Sequence, residues 1–269
     1  MRIVFVTDYF KKSGLGNYYR SNYIYEFTKK NTKHKVDFFI LSKSNKVKHK
    51  YDLVILDLPQ KNYKIAKIIE KFSNSKTKVL GLDYNFKKKI DYNIGIFIRS
   101  KNATKNYISL KYCIIKKEIF SQKFKIKNNL FFISIGSSDI QKMRKKITTL
   151  FKPYFSNIFC SSVISVNKNY VNQKFFLKNM SSCSLAASNG GTTLMELLFL
   201  RKIVFVYPQN NLELKFANYL KNKGFKIFIN KLDVNKKTID RLNKLKQINR
   251  FIDQYGASRI SKIILNIIN

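Results

Sequence analysis

Apolar and polar positions fall along this chain in blocks that two kinds of element explain. The runs Ile3 to Val6, Val36 to Leu41, Leu53 to Leu56 and Val79 to Leu82 are short, unbroken and followed by polar sequence. That is the pattern of strands buried on both faces of a parallel sheet. Between the last two, Ile65, Ile68, Ile69 and Phe72 recur at three- and four-residue spacing. A helix there turns one apolar stripe to the sheet and its lysines to water, which makes a βαβ unit.

A second set of blocks follows the polar stretch Ser121 to Asn129, which reads as the linker. It holds strands at Leu130 to Ile135 and Ile203 to Tyr207, with helices near Gln141 to Phe151 and Thr193 to Leu200. The last segment, Ala257 to Ile268, places Ile260, Ile263, Ile264 and Ile267 on one helical face and must pack against something. The expected organisation is an N-terminal Rossmann-like lobe at 1–122, a C-terminal one at 127–254, and a helix at 255–269 crossing back to the first lobe. No repeat of fixed period and no low-complexity linker interrupts it.

Glycine placement points to chemistry. Only nine glycines occur, and Gly14, Gly16, Gly136, Gly190 and Gly191 all lie after an expected strand and before a helix. Glycine there can take positive φ and let the backbone approach a ligand, while the helix offers unpaired N–H groups to an anion such as a phosphate. The strongest case is the run Ser188-Asn189-Gly190-Gly191-Thr192-Thr193-Leu194-Met195-Glu196, whose amides and hydroxyls suit a pyrophosphate and whose carboxylate suits ribose hydroxyls. An ordinary cap is the competing reading, with Thr192 or Thr193 at the N-cap and Glu196 completing a capping box after Thr193. The earlier run Gly14-Leu15-Gly16-Asn17-Tyr18-Tyr19-Arg20 lacks a third Rossmann glycine, and no Walker lysine pattern is present.

Charge and cysteines change this picture little. Fifty-three Lys and Arg against fifteen acids give a net charge of +38, which raises nucleic acid or an anionic membrane surface as partners. The basic residues are spread along the chain rather than forming one stripe with aromatics, so no specific nucleic acid is expected. Abundant Lys, Asn, Ile, Phe and Tyr without Trp looks like AT-rich codon usage, leaving weak association with an anionic membrane surface as the remaining partner. Cys113, Cys160 and Cys183 form no C-x-x-C pair and fit reduced thiols. Asp8 breaks the first apolar run too early for a signal peptide, and no later run reaches spanning length. A cytoplasmic protein is expected, with no cofactor and no metal.

The segments together resemble the UDP-sugar hydrolases of pseudaminic acid biosynthesis and their spore-coat-polysaccharide relatives, whose GT-B fold is that of the lipid-II-forming N-acetylglucosaminyl transferase. Val6-Thr7-Asp8 and Gly14 to Arg20 stand where that family has R-x-D and G-x-G-H-x-x-R. Tyr51 to Asp57 looks like its D-l-v-v-D strand, and Leu82-Asp83 resembles its next acidic stretch. Lys111-Tyr112-Cys113-Ile114-Ile115-Lys116-Lys117-Glu118-Ile119-Phe120 is similar to K-Y-A-L-L-R-P-E-F, and Ile133 to Asp139 to S-F-G-G-S-D. Gly190 to Glu196 resembles the uridine-diphosphate site, and Glu213 to Ala217 follows where the family has Q-x-x-N-A.

The resemblance implies an α/β protein of the GT-B type, two Rossmann-like lobes with a cleft between them. It implies an enzyme that hydrolyses a UDP-linked amino-deoxy sugar, of the diacetamido-trideoxy kind, in surface-glycan biosynthesis. The implied substrate-binding residues are Gly14, Gly16, Arg20, Tyr112, Gly136, Ser137, Ser138, Asn189, Gly190, Gly191, Thr192, Thr193, Glu196 and Glu213. Where the family's histidine activates water this chain has Asn17, whose amide takes up no proton near neutral pH. Losing such a base removes a factor of roughly 100 to 10,000. Asp8 is the expected replacement, with Asn17 holding the water and Asp83 and Asp139 next in line. Glycosyl transfer from a UDP-sugar, and nucleotide binding without catalysis, are the alternatives. Glu196 is expected to be a cleft carboxylate outside the core.

Overall fold

A computed structural model of the chain describes residues 1–8, 16–43, 47, 49–59, 63–120, 125–135, 142–161, 173–247 and 251–269. Contacts divide it into two compact units, Met1–Ile114 with Asp253–Asn269, and Ile115–Ile252.

The first unit is built on strands β1 (Arg2–Thr7), β2 (Lys35–Ile40), β3 (Leu53–Asp57), β4 (Lys78–Leu82), β5 (Ile90–Gly95) and β6 (Ala103–Ile108). All pair in parallel, in the order β2-β1-β3-β4-β5-β6. Helices α1 (Gly16–Lys30) and α2 (Ile65–Phe72) are the crossovers to β2 and β4. Alternation along the strands sends Ile3, Phe5, Leu53 and Ile55 to the core that holds Ile24 of α1. Val4, Val6, Val54 and Leu56 go to the other face, against Ile65 and Phe72 of α2. The chain runs outward from β1 to β2, then returns past β1 to β3. The topological switch point of this sheet therefore lies between β1 and β3.

The second unit opens with α3 (Lys117–Phe120) and a five-stranded parallel sheet: β7 (Lys127–Ser134), β8 (Asn157–Cys160), β9 (Cys183–Ser188), β10 (Ile203–Val206) and β11 (Ile227–Ile229). Between and after them run α4 (Met143–Phe151), α5 (Gln173–Ser182), α6 (Thr192–Phe199), α7 (Asn211–Asn222) and α8 (Lys236–Lys244). The order β11-β10-β9-β7-β8 puts the second switch point between β7 and β9. Phe131, Phe151, Phe155 and Phe205 pack together in its core, with the Phe131 and Phe151 rings stacked 4.1 Å apart.

The unit boundaries differ from the sequence expectation of a linker at Ser121 to Asn129. Residues 115–120 count with the second unit because Ile119 is buried and the Phe120 ring lies 5.7 Å from that of Phe199 in α6. The last helix, α9 (Gly256–Ile268), belongs to the first unit, where Ile260, Ile264, Ile267 and Ile268 join the α1-side core. Lys78 Nζ at the start of β4 donates to the Ile267 carbonyl at its far end. At its near end, a Cβ on Gly256 would stand 2.0 Å from the Cys113 carbonyl oxygen. Gly256→Ala is expected to cost about 1–3 kcal/mol through that overlap. A chemical-denaturation midpoint equal to that of the parent protein would show that the junction yields freely.

Among the described residues no helix is long and apolar enough to cross a membrane.

Candidate functional site

In open parallel sheets, ligands bind outside the carboxyl ends of the strands at the switch point. Each unit places expected site residues there.

In the first unit, β3 ends on Asp57, whose side chain is 1% exposed. Its Oδ1 accepts from Asn17 Nδ2 at 2.7 Å and from Arg20 Nη2, and its Oδ2 accepts from Arg20 Nε at 2.9 Å and Ser21 Oγ at 2.8 Å. Four donors occupy the roughly four lone-pair positions a carboxylate offers. Arg20 Nη1 reaches on to Asp83 Oδ2, whose other oxygen accepts from the Ile96 amide. Burial disfavours the guanidinium charge, but Asp57 and Asp83 together hold its pKa above the ordinary value. Arg20 thus organises two strand ends, and its fork is committed to carboxylates of the chain itself.

Gly16 opens α1, one residue before Asn17. Asp8 does not join this cluster. It continues the Val4–Val6 side of β1, where its oxygens accept from the Ser42 amide at 3.2 Å and the Tyr63 hydroxyl at 3.1 Å. The two residues expected to act together, Asp8 and Asn17, therefore hang from opposite faces of the sheet. Tyr112 sits in the short turn Leu110–Tyr112 and packs on the core that α9 completes. Gly14 lies outside the described residues.

In the second unit, β9 ends on Ser188 and the chain turns through Asn189, Gly190 and Gly191 into α6. Gly191 is the N-cap, at φ −87°, and no side chain caps the helix. The capping box is therefore not formed: the helix begins two residues earlier than that reading needs, and Glu196 is its fifth residue rather than its third. Nor does either glycine serve through positive φ; among the described residues Gly224 is the one glycine with it. Gly190 is required by close approach, since a Cβ there would fall 2.6 Å from Glu213 Cβ and 2.8 Å from Glu213 Cα. At Gly191 a Cβ would meet only the Asn189 side chain, at 3.4 Å.

The first turn of α7 braces this loop. Glu213 Oε1 accepts from Asn189 Nδ2 at 2.7 Å, and Oε2 accepts from the Gln209 amide at 2.7 Å. Asn210 in turn caps α7 by accepting from the Glu213 amide at 3.0 Å. Glu213 and Asn189, both expected to touch substrate, hold each other and fix the turn. The amides of Thr192 and Thr193 belong to the first turn of α6, which has no intrahelical acceptor for them. Gly136, Ser137, Ser138 and Asp139, which follow β7 across the switch point, lie outside the described residues.

Glu196 departs from its expected place. It is 3% exposed and pairs with Lys116 Nζ at 3.5 Å, so it belongs to the interior of α6. Burial raises its pKa, against the opposing pull of Lys116. An acid whose folded pKa exceeds its unfolded value loses stabilising effect as pH rises from the unfolded value to the folded one. Glu196→Gln should therefore gain thermal stability relative to the parent as pH climbs above the usual 4.5, levelling off beyond the raised value. Melting curves from pH 4 to 8 check this, and a difference that does not vary with pH would contradict it.

Sequence reasoning missed Asp57 and Lys116 as members of these clusters. The available signal for Asp57 was an acid closing the otherwise apolar run Leu53 to Leu56 at a sheet's carboxyl edge.

No family model and no curated protein sequence matches the chain. Solved structures do. The UDP-GlcNAc 2-epimerase of Methanocaldococcus jannaschii, in complex with UDP-GlcNAc and UDP, superposes with a TM-score of 0.60 at 10% identity, covering 99% of this chain and 100% of that one. MurG of Acinetobacter baumannii gives 0.59 at 10% identity, with coverage of 99% and 100%. The fold is of the GT-B type. The glycotransferase of kitacinnamycin is similar at 0.57 and 8% identity, covering 97% and 93%.

Proposed function

We propose that this protein cleaves the bond between sugar and diphosphate in a UDP-sugar. One observation carries the reading: the turn 188–191 at the β7/β9 switch point, braced by Glu213, delivers the uncapped N-terminus of α6. Such a terminus offers N–H groups and positive dipole potential to a diphosphate, and most usefully as charge grows on the leaving group. The GT-B fold shared with an epimerase solved with UDP-GlcNAc and UDP supports the same ligand class. Thr192 and Thr193 are proposed as diphosphate ligands, with Gly191 leaving room for it. Glu196 stands behind them through its pair with Lys116, and Glu213 with Asn189 holds the turn.

The first reading of the reaction is hydrolysis of a UDP-linked amino-deoxy sugar. Water attacks the anomeric carbon, the carbon–oxygen bond to phosphate breaks, and UDP leaves with the bonding pair. Asn17 would position that water, and the departing diphosphate can take up its proton.

Transfer to an acceptor hydroxyl is the second reading. It is favoured by two placements: Asp57 lies beside Asn17 but is committed to four donors, and Asp8 lies on the opposite face, so neither is a ready base for water at Asn17. The basic chain would suit an acceptor held at an anionic membrane surface.

Purified protein incubated with UDP-GlcNAc and with UDP-linked amino-deoxy sugars, with and without an acceptor, should release UDP. Release without acceptor identifies hydrolysis and acceptor dependence identifies transfer. Absence of both release and UDP binding would refute the proposal.

A further inference from the structure

We infer that the first unit carries a ligand site of its own, for an organic phosphate whose body is a ring. The site lies wholly within that unit and does not depend on the nucleotide-sugar reading.

A cavity of about 370 Å³ opens between the start of α2 and the turn that links β4 to β5. That volume falls at the lower end of the range in which small ligands are held. Lys64, Lys87 and Lys88 line it, Asn85 adds a carboxamide, and among the described residues no acid lines it. The nearby carboxylates are committed elsewhere. Asp8 accepts from the Tyr63 hydroxyl and the Ser42 amide, while Asp83 accepts from Arg20 and the Ile96 amide. Among the described residues none of the three lysines pairs with an acid. Three like charges around one hollow repel one another, and an anion placed among them relieves that repulsion.

Lysine is common throughout this chain, and what sets these apart is the scaffold that carries them. Tyr84 is 1% exposed and donates its hydroxyl to the Lys88 carbonyl at 2.7 Å, while its amide donates to Asn93 Oδ1 at 2.9 Å. Asn102 Nδ2 donates to the Phe86 carbonyl at 2.9 Å. The backbone that bears Phe86, Lys87 and Lys88 is therefore fixed before a ligand arrives, which lowers the cost of ordering it on binding.

The apolar wall is aromatic. The half-buried rings of Tyr63 and Phe86 meet edge to face, 6.5 Å apart. Because the Tyr63 hydroxyl is bound to Asp8, that residue offers a ligand its ring. Aromatic faces beside ammonium groups suit a ring that bears a phosphate, the ring against Tyr63 and Phe86 and the phosphate among the lysines. Ala66 also lines the cavity, in the first turn of α2, which no side chain caps. Sugar phosphates and nucleoside phosphates share this chemistry.

The test is calorimetric binding of phenyl phosphate, glucose 1-phosphate and inorganic phosphate to the full chain. One ring-bearing probe is expected to bind about tenfold more tightly than inorganic phosphate. Preference for phenyl phosphate points to a planar, nucleoside-like body, and preference for glucose 1-phosphate to a sugar. Replacing Lys87→Gln together with Lys88→Gln should weaken the favoured probe about tenfold. Lys236→Gln with Lys237→Gln, which removes the same charge from exposed positions of α8, should change it less than twofold. Phe86→Leu should bring the favoured probe within about threefold of inorganic phosphate, and Gly191→Leu should leave its binding unchanged. Equal losses from the two lysine pairs would reveal general attraction to a basic chain and overturn the inference. So would the absence of any preference for a ring, or loss of binding in Gly191→Leu.

Discussion

Gly191→Leu is expected to weaken UDP binding about 100-fold or more while leaving the folded structure intact. The backbone at Gly191 is ordinary extended chain, and the first carbon of a side chain would meet only Asn189 at 3.4 Å. The first carbon of leucine is therefore accepted by the fold, and the rest of the side chain is expected to occupy the space in front of the α6 amides. The neighbouring position behaves in the opposite way. Gly190→Ala forces a Cβ into Glu213 at 2.6 Å from its Cβ and 2.9 Å from its carbonyl oxygen, so the first turn of α7 must shift. That variant should lose about 1–3 kcal/mol of stability, and with it the geometry of the turn. Calorimetric binding and thermal melting on the two variants separate ligand space from packing. A Gly191→Leu protein that binds UDP as the parent does would place the nucleotide elsewhere.

Asn17→His carries the second large effect. An imidazole at this position can donate one ring nitrogen to Asp57 and keep the other as a proton acceptor near neutral pH. The arrangement of carboxylate, imidazole and water is that of general-base catalysis, which contributes about 100- to 10,000-fold. Release of UDP without acceptor should therefore rise by a factor of that order, with a rate that falls as the imidazole is protonated at low pH. If UDP release from this variant stays at the parent rate, water does not reach the anomeric carbon from residue 17.

Much of the architecture was legible because the determining residues are apolar and periodic. The runs Ile3 to Val6 and Leu53 to Leu56 could only be strands buried on both faces, and the Ile260, Ile264, Ile267 stripe could only be a covered helix. Strand β9 escaped the reading because Cys183-Ser184-Leu185-Ala186-Ala187-Ser188 is small and nearly neutral in pattern, and its burial comes from lying in the middle of the sheet. Strands β5 and β6 escaped because Ile90 to Gly95 and Ala103 to Ile108 carry polar residues toward the sheet edge.

The glycine turn was found for a reason only partly its own. Two adjacent glycines suggested backbone freedom for a ligand, yet Gly190 answers to the approach of α7, a tertiary contact that residue spacing does not encode. The same limit explains Glu196. Its place one turn into a helix is a local property, whereas its burial against Lys116 depends on a segment eighty residues away. Asp8 and Asn17 looked like partners because both flank one loop in sequence. Strand alternation, applied one residue beyond β1, sends Asp8 to the other side of the sheet.

The most direct test is a structure of the protein with UDP bound. The diphosphate oxygens should lie about 3 Å from the backbone nitrogens of Thr192 and Thr193, beside Gly191. UDP seated away from the α6 terminus, or those amides bonded instead to the protein itself, would contradict the assignment.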